Sequence, residues 1–240
     1  MSQLPDSLME LSVASDQYDQ PLMILPHELC FLSLKGRAYN QPLHLRTVSL
    51  SSLFSLKKIV LGDSFNSPVN FLLPYNLEEL KLGHSFDKSI DHIPETIRIL
   101  RLGCMFSQRI HFLPPALEHL EFSFLCLCSK HPTFNHPFPS FPRQLSHLLL
   151  NNDFNQSLND LPESLEVLQI GDGFRQRFSR IPANLSILLI TECARQRNLF
   201  QDASFQEQMK YVRVRSICDC NGVKSYDKKH TTTSKKRKLF

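Results

Sequence analysis

The side chains best suited to chemistry are seven cysteines and ten histidines in 240 residues. Cys126-Leu127-Cys128 and Cys218-Asp219-Cys220 form two C-x-C pairs, whose four thiolates would suit zinc if the segments met. Structural zinc generally uses C-x₂₋₄-C spacing, and these pairs lie far apart, so free thiols are the expected state. Cys30 and Cys104 stand at variable positions and look incidental. An odd cysteine count, with no basic start leading into an apolar stretch, points to reduced thiols inside a cell. The histidines are dispersed, for example at His84, His92, His111, His119, His131, His136 and His147, and no H-E-x-x-H or G-x-S-x-G occurs. With 7 glycines there is neither G-x-G-x-x-G nor G-x-x-x-x-G-K-[ST]. We therefore expect no catalytic residue, no cofactor and no metal. No apolar run approaches the roughly 20 residues of a membrane helix, so no membrane association is expected.

What would position any functional side chain is an internal repeat. LPYNLEELKLGHSF from Leu73, IPETIRILRLGCMF from Ile93 and LPESLEVLQIGDGF from Leu161 are copies of one unit, roughly L-P-x-x-L-x-x-L-x-L-G-x-x-F-N-Q-P-L. Its register residues are Leu8, Leu29, Leu56, Leu77, Ile97, Leu117, Leu145, Leu165 and Leu185, spaced by 20 or 21 except for intervals of 27 and 28. The two long intervals read as surface-loop insertions, one between Tyr39 and Leu56, the other around Phe124 to His131.

Within each unit L-x-x-L-x-L alternates as a half-buried strand does, and one such strand cannot bury its face alone. Stacking the units predicts a repeat solenoid with a leucine-rich parallel sheet, adjacent strands about 4.8 Å apart, and a convex side too short and too proline-rich for regular helix. Aromatic residues recur nine or ten positions after the register residue: Tyr18, Tyr39, Phe65, Phe86, Phe106, Phe154 and Phe174, with Phe134 delayed by an insertion. They should stack as a second inner column. Residues between the leucines should face outward on the concave side, and Glu79, Lys81, Ile99, Arg101, His119, Glu121, His147, Leu149, Val167 and Gln169 are the candidate partner-binding residues, continued by Ile187 and Leu189. Glu10, Ser12, Ser33 and Lys58 read as ordinary solvated positions. Lys81 and Arg101 should be lateral neighbours, poised either for an acidic group on a partner or, for Arg101, for pairing with Glu121.

Phe65-Asn66-Ser67-Pro68-Val69, Tyr39-Asn40-Gln41-Pro42-Leu43 and Phe154-Asn155-Gln156-Ser157-Leu158 resemble the FNIP repeat of social amoebae and giant viruses of amoebae, a short leucine-rich-repeat type. The resemblance spans about 190 residues. It implies an intracellular, non-enzymatic array that binds a protein partner of unknown identity on its sheet face. In viral members such arrays often follow an F-box that recruits a ubiquitin-ligase core. No F-box pattern is seen here, where the first unit starts at Leu4, and a substrate-recognition subunit of a ubiquitin ligase is the alternative the family suggests.

Composition divides the chain into an array over 4–191, a C-terminal cap over 192–221 and a disordered basic tail over 222–240. Residues 192–240 carry 12 Lys and Arg against 5 Asp and Glu, whereas the array is weakly acidic. Gln206 to Lys210 reads as a short helix, and Tyr211-Val212-Arg213-Val214-Arg215 alternates as a strand that would close the last turn. Lys228, Lys229, Lys235, Lys236, Arg237 and Lys238 resemble a nuclear import signal or an electrostatic foot for nucleic acid, which gives a third function class. Localisation then follows as cytoplasmic, or nuclear if the tail acts as an import signal.

Overall fold

The computed structural model describes residues 4–22, 24–43, 50–123, 133–191, 209 and 212–216. Two tight turns define each unit. The register amide donates to the carbonyl three residues earlier, usually a proline's, as in Leu77 N to Pro74 O at 3.1 Å and Leu165 N to Pro162 O at 3.1 Å. Proline fits there because its ring presets a turn and the turn needs only its carbonyl. After the strand a second turn closes from the aromatic amide to a carbonyl three residues back, as in Phe86 N to Gly83 O at 3.4 Å and Phe106 N to Gly103 O at 3.3 Å.

Among the described residues lie ten short strands: β1 Glu10–Val13, β2 Phe31–Leu34, β3 Lys58–Leu61, β4 Glu79–Lys81, β5 Ile99–Leu102, β6 His119–Phe122, β7 His147–Leu149, β8 Val167–Ile170, β9 Ile187–Ile190 and β10 Arg213–Ser216. They pair in chain order into one sheet, and every pairing is parallel. Register residues Leu29, Leu56, Leu77, Ile97, Leu117, Leu145 and Leu165 are wholly buried. The second strand position, from Leu32 and Ile59 through Leu148 to Leu188, lies in the same core.

The aromatic column forms as expected from Tyr18 to Phe154, while Phe174 packs against Phe178. Ring centroids along Tyr18, Tyr39, Phe65, Phe86 and Phe106 are 6.0 to 6.3 Å apart and nearly parallel. The stack runs on from Phe106 to Phe134 at 6.1 Å and from Phe134 to Phe154 at 6.0 Å, so the insertion leaves the column intact. Phe122, at the end of β6, leans in as well, 4.6 Å from Phe134. Rings 6.0 to 6.3 Å apart behind strands at the usual sheet spacing of about 4.8 Å make the stack fan outward on the ring side, which puts the sheet on the inner curve.

The glycine after the strand is explained by space. A Cβ built on Gly83 would lie 2.1 Å from the Gly62 carbonyl oxygen, and one on Gly103 would lie 2.0 Å from that of Gly83. Successive turns touch there backbone to backbone.

Three expectations need correction. The first insertion is not merely a surface loop: a 3-10 turn at Leu50–Ser52 delivers Leu50 and Leu53, both 0% exposed, into the core. Ser33 is not solvated but fully buried, between Ser12 of β1 and Val60 of β3 in its row. The C-terminal strand begins at Arg213 rather than Tyr211, and it joins the sheet as a tenth parallel strand, in register with β9. The insertion around Phe124 to His131, the helix expected at Gln206 to Lys210 apart from Met209, and the tail over 222–240 lie outside the described residues.

Candidate binding face

Alternation within the strands projects two rows of side chains onto the concave face. The first runs Glu10, Phe31, Lys58, Glu79, Ile99, His119, His147, Val167, Ile187, Arg213; the second runs Ser12, Ser33, Val60, Lys81, Arg101, Glu121, Leu149, Gln169, Leu189, Arg215. Neighbours in a row come from successive turns, so a charge's surroundings are set by residues about 20 positions away. Every candidate partner-binding residue falls on these rows.

At the centre of the face the charges pair among themselves. Lys58 Nζ is 2.8 Å from Glu79 Oε2, Arg101 also bonds Glu79, and Arg101 Nε is 3.0 Å from Glu121 Oε2. His119 Nε2 meets the same Glu121 oxygen at 3.2 Å and stacks on His147 with centroids 5.3 Å apart. Lys58 also lies over the Phe31 ring at 5.6 Å, so it is a paired residue rather than an ordinary solvated one. Burial works to raise the Glu79 carboxyl, but the hydrogen bonds and charges of Lys58 and Arg101 outweigh it and hold the group below its usual value. The His119 hydrogen bond lowers Glu121 against the opposing effect of burial, with Arg101 adding to the lowering. Burial pushes the His147 imidazole down, and His119 pushes it further.

Lys81 and Arg101 are lateral neighbours as expected, yet they differ. Arg101 is held between two carboxylates, which satisfies its charge within the chain. Lys81 is exposed and, among the described residues, has no ion-pair partner. Towards the C-terminal end the face becomes apolar: Leu149, Val167, Ile187 and Leu189 are half-buried, whereas Ile99 lies inside the charged centre, between Glu79 and His119. Gln169 is corrected from the exposed set. At 8% exposure between Leu149 and Leu189 it folds back, its Nε2 donating to the Leu150 carbonyl at 3.1 Å.

Sequence reasoning missed several contacts. Asn66 Oδ1 accepts the Asp87 amide at 2.9 Å, Asn40 Oδ1 accepts that of Asn66 at 2.7 Å, and Asp19 Oδ1 accepts that of Asn40 at 3.0 Å. Asp87 carries the ladder on to the Ser107 amide, and past the insertion Asn135 and Asn155 serve the amides of Asn155 and Arg175 at 2.8 Å each. The recurring Asn or Asp after the aromatic residue was the available signal. Cys104 is buried rather than incidental, its sulfur 2.8 Å from His84 Nδ1. Exposed aromatics outside the ring column, at Phe54, Phe71, Tyr75 and Phe112, add a second feature: Phe54 contacts Tyr75 with centroids 5.6 Å apart, and Phe71 stacks on His92 at 4.3 Å.

Among the described residues no group of three or more His, Cys, Asp or Glu is arranged to hold a metal ion. Cys126, Cys128, Cys218 and Cys220 are outside those residues, as are Lys228, Lys229, Lys235, Lys236, Arg237 and Lys238. No described helix is long and apolar enough to cross a membrane.

An all-parallel sheet of one strand per turn, without α-helix among the described residues, is a leucine-rich-repeat solenoid of short period. Residues 134–173 match the family model of the FNIP Repeat. Among solved structures, CroV588, described as a novel circular LRR protein, matches with a TM-score of 0.52 and 23% identity over 89% of this chain and 44% of that one. The chain thus spans less than half the length of this neighbour, and at that identity the likeness speaks for the fold. No curated protein matches the chain.

Proposed function

We propose that the chain is a non-enzymatic interaction module that seats a protein partner on the concave sheet face. The observation that carries this reading is the apolar strip Leu149, Val167, Ile187 and Leu189, half-exposed on the inner curve beside a centre whose charges are already paired. Side chains on that face are not needed for the core, which the opposite face and the ring column fill. An apolar patch with a polar border is what a protein interface presents. Lys81, the exposed cation on the far side of that centre, would meet an acidic group of the partner, whereas Arg101, Glu79, Glu121 and His119 act as a fixed rim between it and the strip. His147 joins the strip to that rim, and Ile99 lies within the rim, between Glu79 and His119.

The test compares partners captured from host cells by the wild-type chain, by Val167→Asp with Leu189→Asp, and by a return-path control, Arg177→Glu. The reading expects the concave variant to lose partners that the control keeps, with both melting near the wild-type temperature. The same partners recovered with all three proteins would overturn it.

A further inference from the structure

The two ends of the sheet are complementary to each other. In every strand from β2 on, the first amide donates back to the preceding turn, as with Phe31 to Met9, Glu79 to Lys57, and Arg213 to Ser186 at 2.8 Å. Glu10 holds that position in β1, where no described residue supplies the carbonyl. Core positions at both ends are under-covered. Leu11 and Val13 are only half-buried where Leu32 and Leu34 in the next strand are fully buried, and Val214 is 39% exposed where Leu188 beside it is 1% exposed. Among the described residues no strand lies beyond β1 or β10, and an edge of this kind is a template for a further strand.

Charge specifies which strand. Glu10 and Arg213 occupy the same row of the face at opposite ends of the array, and Ser12 and Arg215 share the second row. Glu10, Arg213 and Arg215 are exposed, and none of them has an ion-pair partner among the described residues. A chain laid head to tail on another copy therefore continues the parallel order and brings a carboxylate beside a guanidinium.

We propose that a second copy of this chain docks in this way, β1 of one copy pairing with the open side of β10 of the other. Glu10 then lies beside Arg213, about 4.8 Å away along the sheet, its amide donating to the Val212 carbonyl. Such a head-to-tail contact closes into a ring or runs on as a filament according to the rotation per copy. It uses the ends of the array, distinct from the concave strip assigned to a partner.

Sedimentation of the full chain from dilute to concentrated solution tests this, with Glu10→Arg and Arg213→Glu made singly and together. The wild type is expected to gain mass with concentration, each single reversal to weaken association by about tenfold, and the double reversal to restore it. Hydrogen exchange at the Glu10 amide should slow as the assembly forms. A wild type that stays monomeric throughout overturns the proposal, as does a double variant no better than the singles. Protection of the Glu10 amide already in the dilute monomer also overturns it, because the edge is then covered by the chain's own residues.

Discussion

Position disfavours the protonated form of His147. The Ser146 hydroxyl donates to the Glu118 carbonyl at 3.1 Å and lies 2.9 Å from His147 Nδ1. Burial and the facing His119 ring then depress protonation, opposed in part by Glu166. Because the folded value lies below 6.5, the unfolded chain binds the proton more readily; the stabilising contribution is complete above about 6.5 and is lost as pH falls through the folded value. Chemical denaturation across this range should show stability falling on acidification, and His147→Gln should flatten that slope. The depressed carboxyls Glu79 and Glu121 act in a lower window: their contribution is present above 4.5 and lost as pH falls through their folded values. Arg101→Met separates the windows, since it should reduce the acid-side loss and leave the His147 slope in place. The sequence revealed that Lys81 adjoins Arg101, because row neighbours follow from the period. It did not reveal that Arg101 is shared by two carboxylates, because Glu79 lies diagonally and side-chain reach decides that contact.

Strand, ring column and turn are each one position of the unit repeated, and this is why they could be read from spacing alone. What the spacing hides is how one turn touches the next. Gly83 needs to be glycine because a carbonyl oxygen of the previous turn occupies the space of a Cβ; Gly83→Ala should cost about 1 to 3 kcal/mol through forced displacement, read by urea denaturation. Asn66 serves an amide of the next turn, so Asn66→Ala should cost about 1 kcal/mol while Asn66→Asp, which keeps the acceptor as Asp19 and Asp87 do, should cost little. Phe86→Ala, which opens a gap between two stacked rings, should cost about 3 to 5 kcal/mol. Burial of Ser33 and Gln169 escaped the sequence for a related reason. Alternation assigns both to the outer face, and what takes them out of water is local: Gln169 folds back onto the Leu150 carbonyl, and Ser33 is a short side chain between Ser12 and Val60.

Stability of the whole array is close to a sum over turns and the contacts between successive turns. Removal of residues 154–173 joins Asp153 to Phe174 and keeps turn, strand and ring positions in phase. The shortened chain should keep its β-type circular dichroism and unfold cooperatively at a lower midpoint, whereas removal of half that length should abolish folding by throwing the ring column out of phase. The asparagine ladder adds something of another kind. Each rung recognises a main-chain amide, which every residue except proline offers, so a rung makes no demand on the identity of the side chain in the following turn. A duplicated or exchanged coding segment one unit long would be accepted by its new neighbours without matching mutations. Copy number can therefore drift between lineages while the outward rows diversify, and the inherited grammar of the array is the spacing of its units rather than any particular pair of residues.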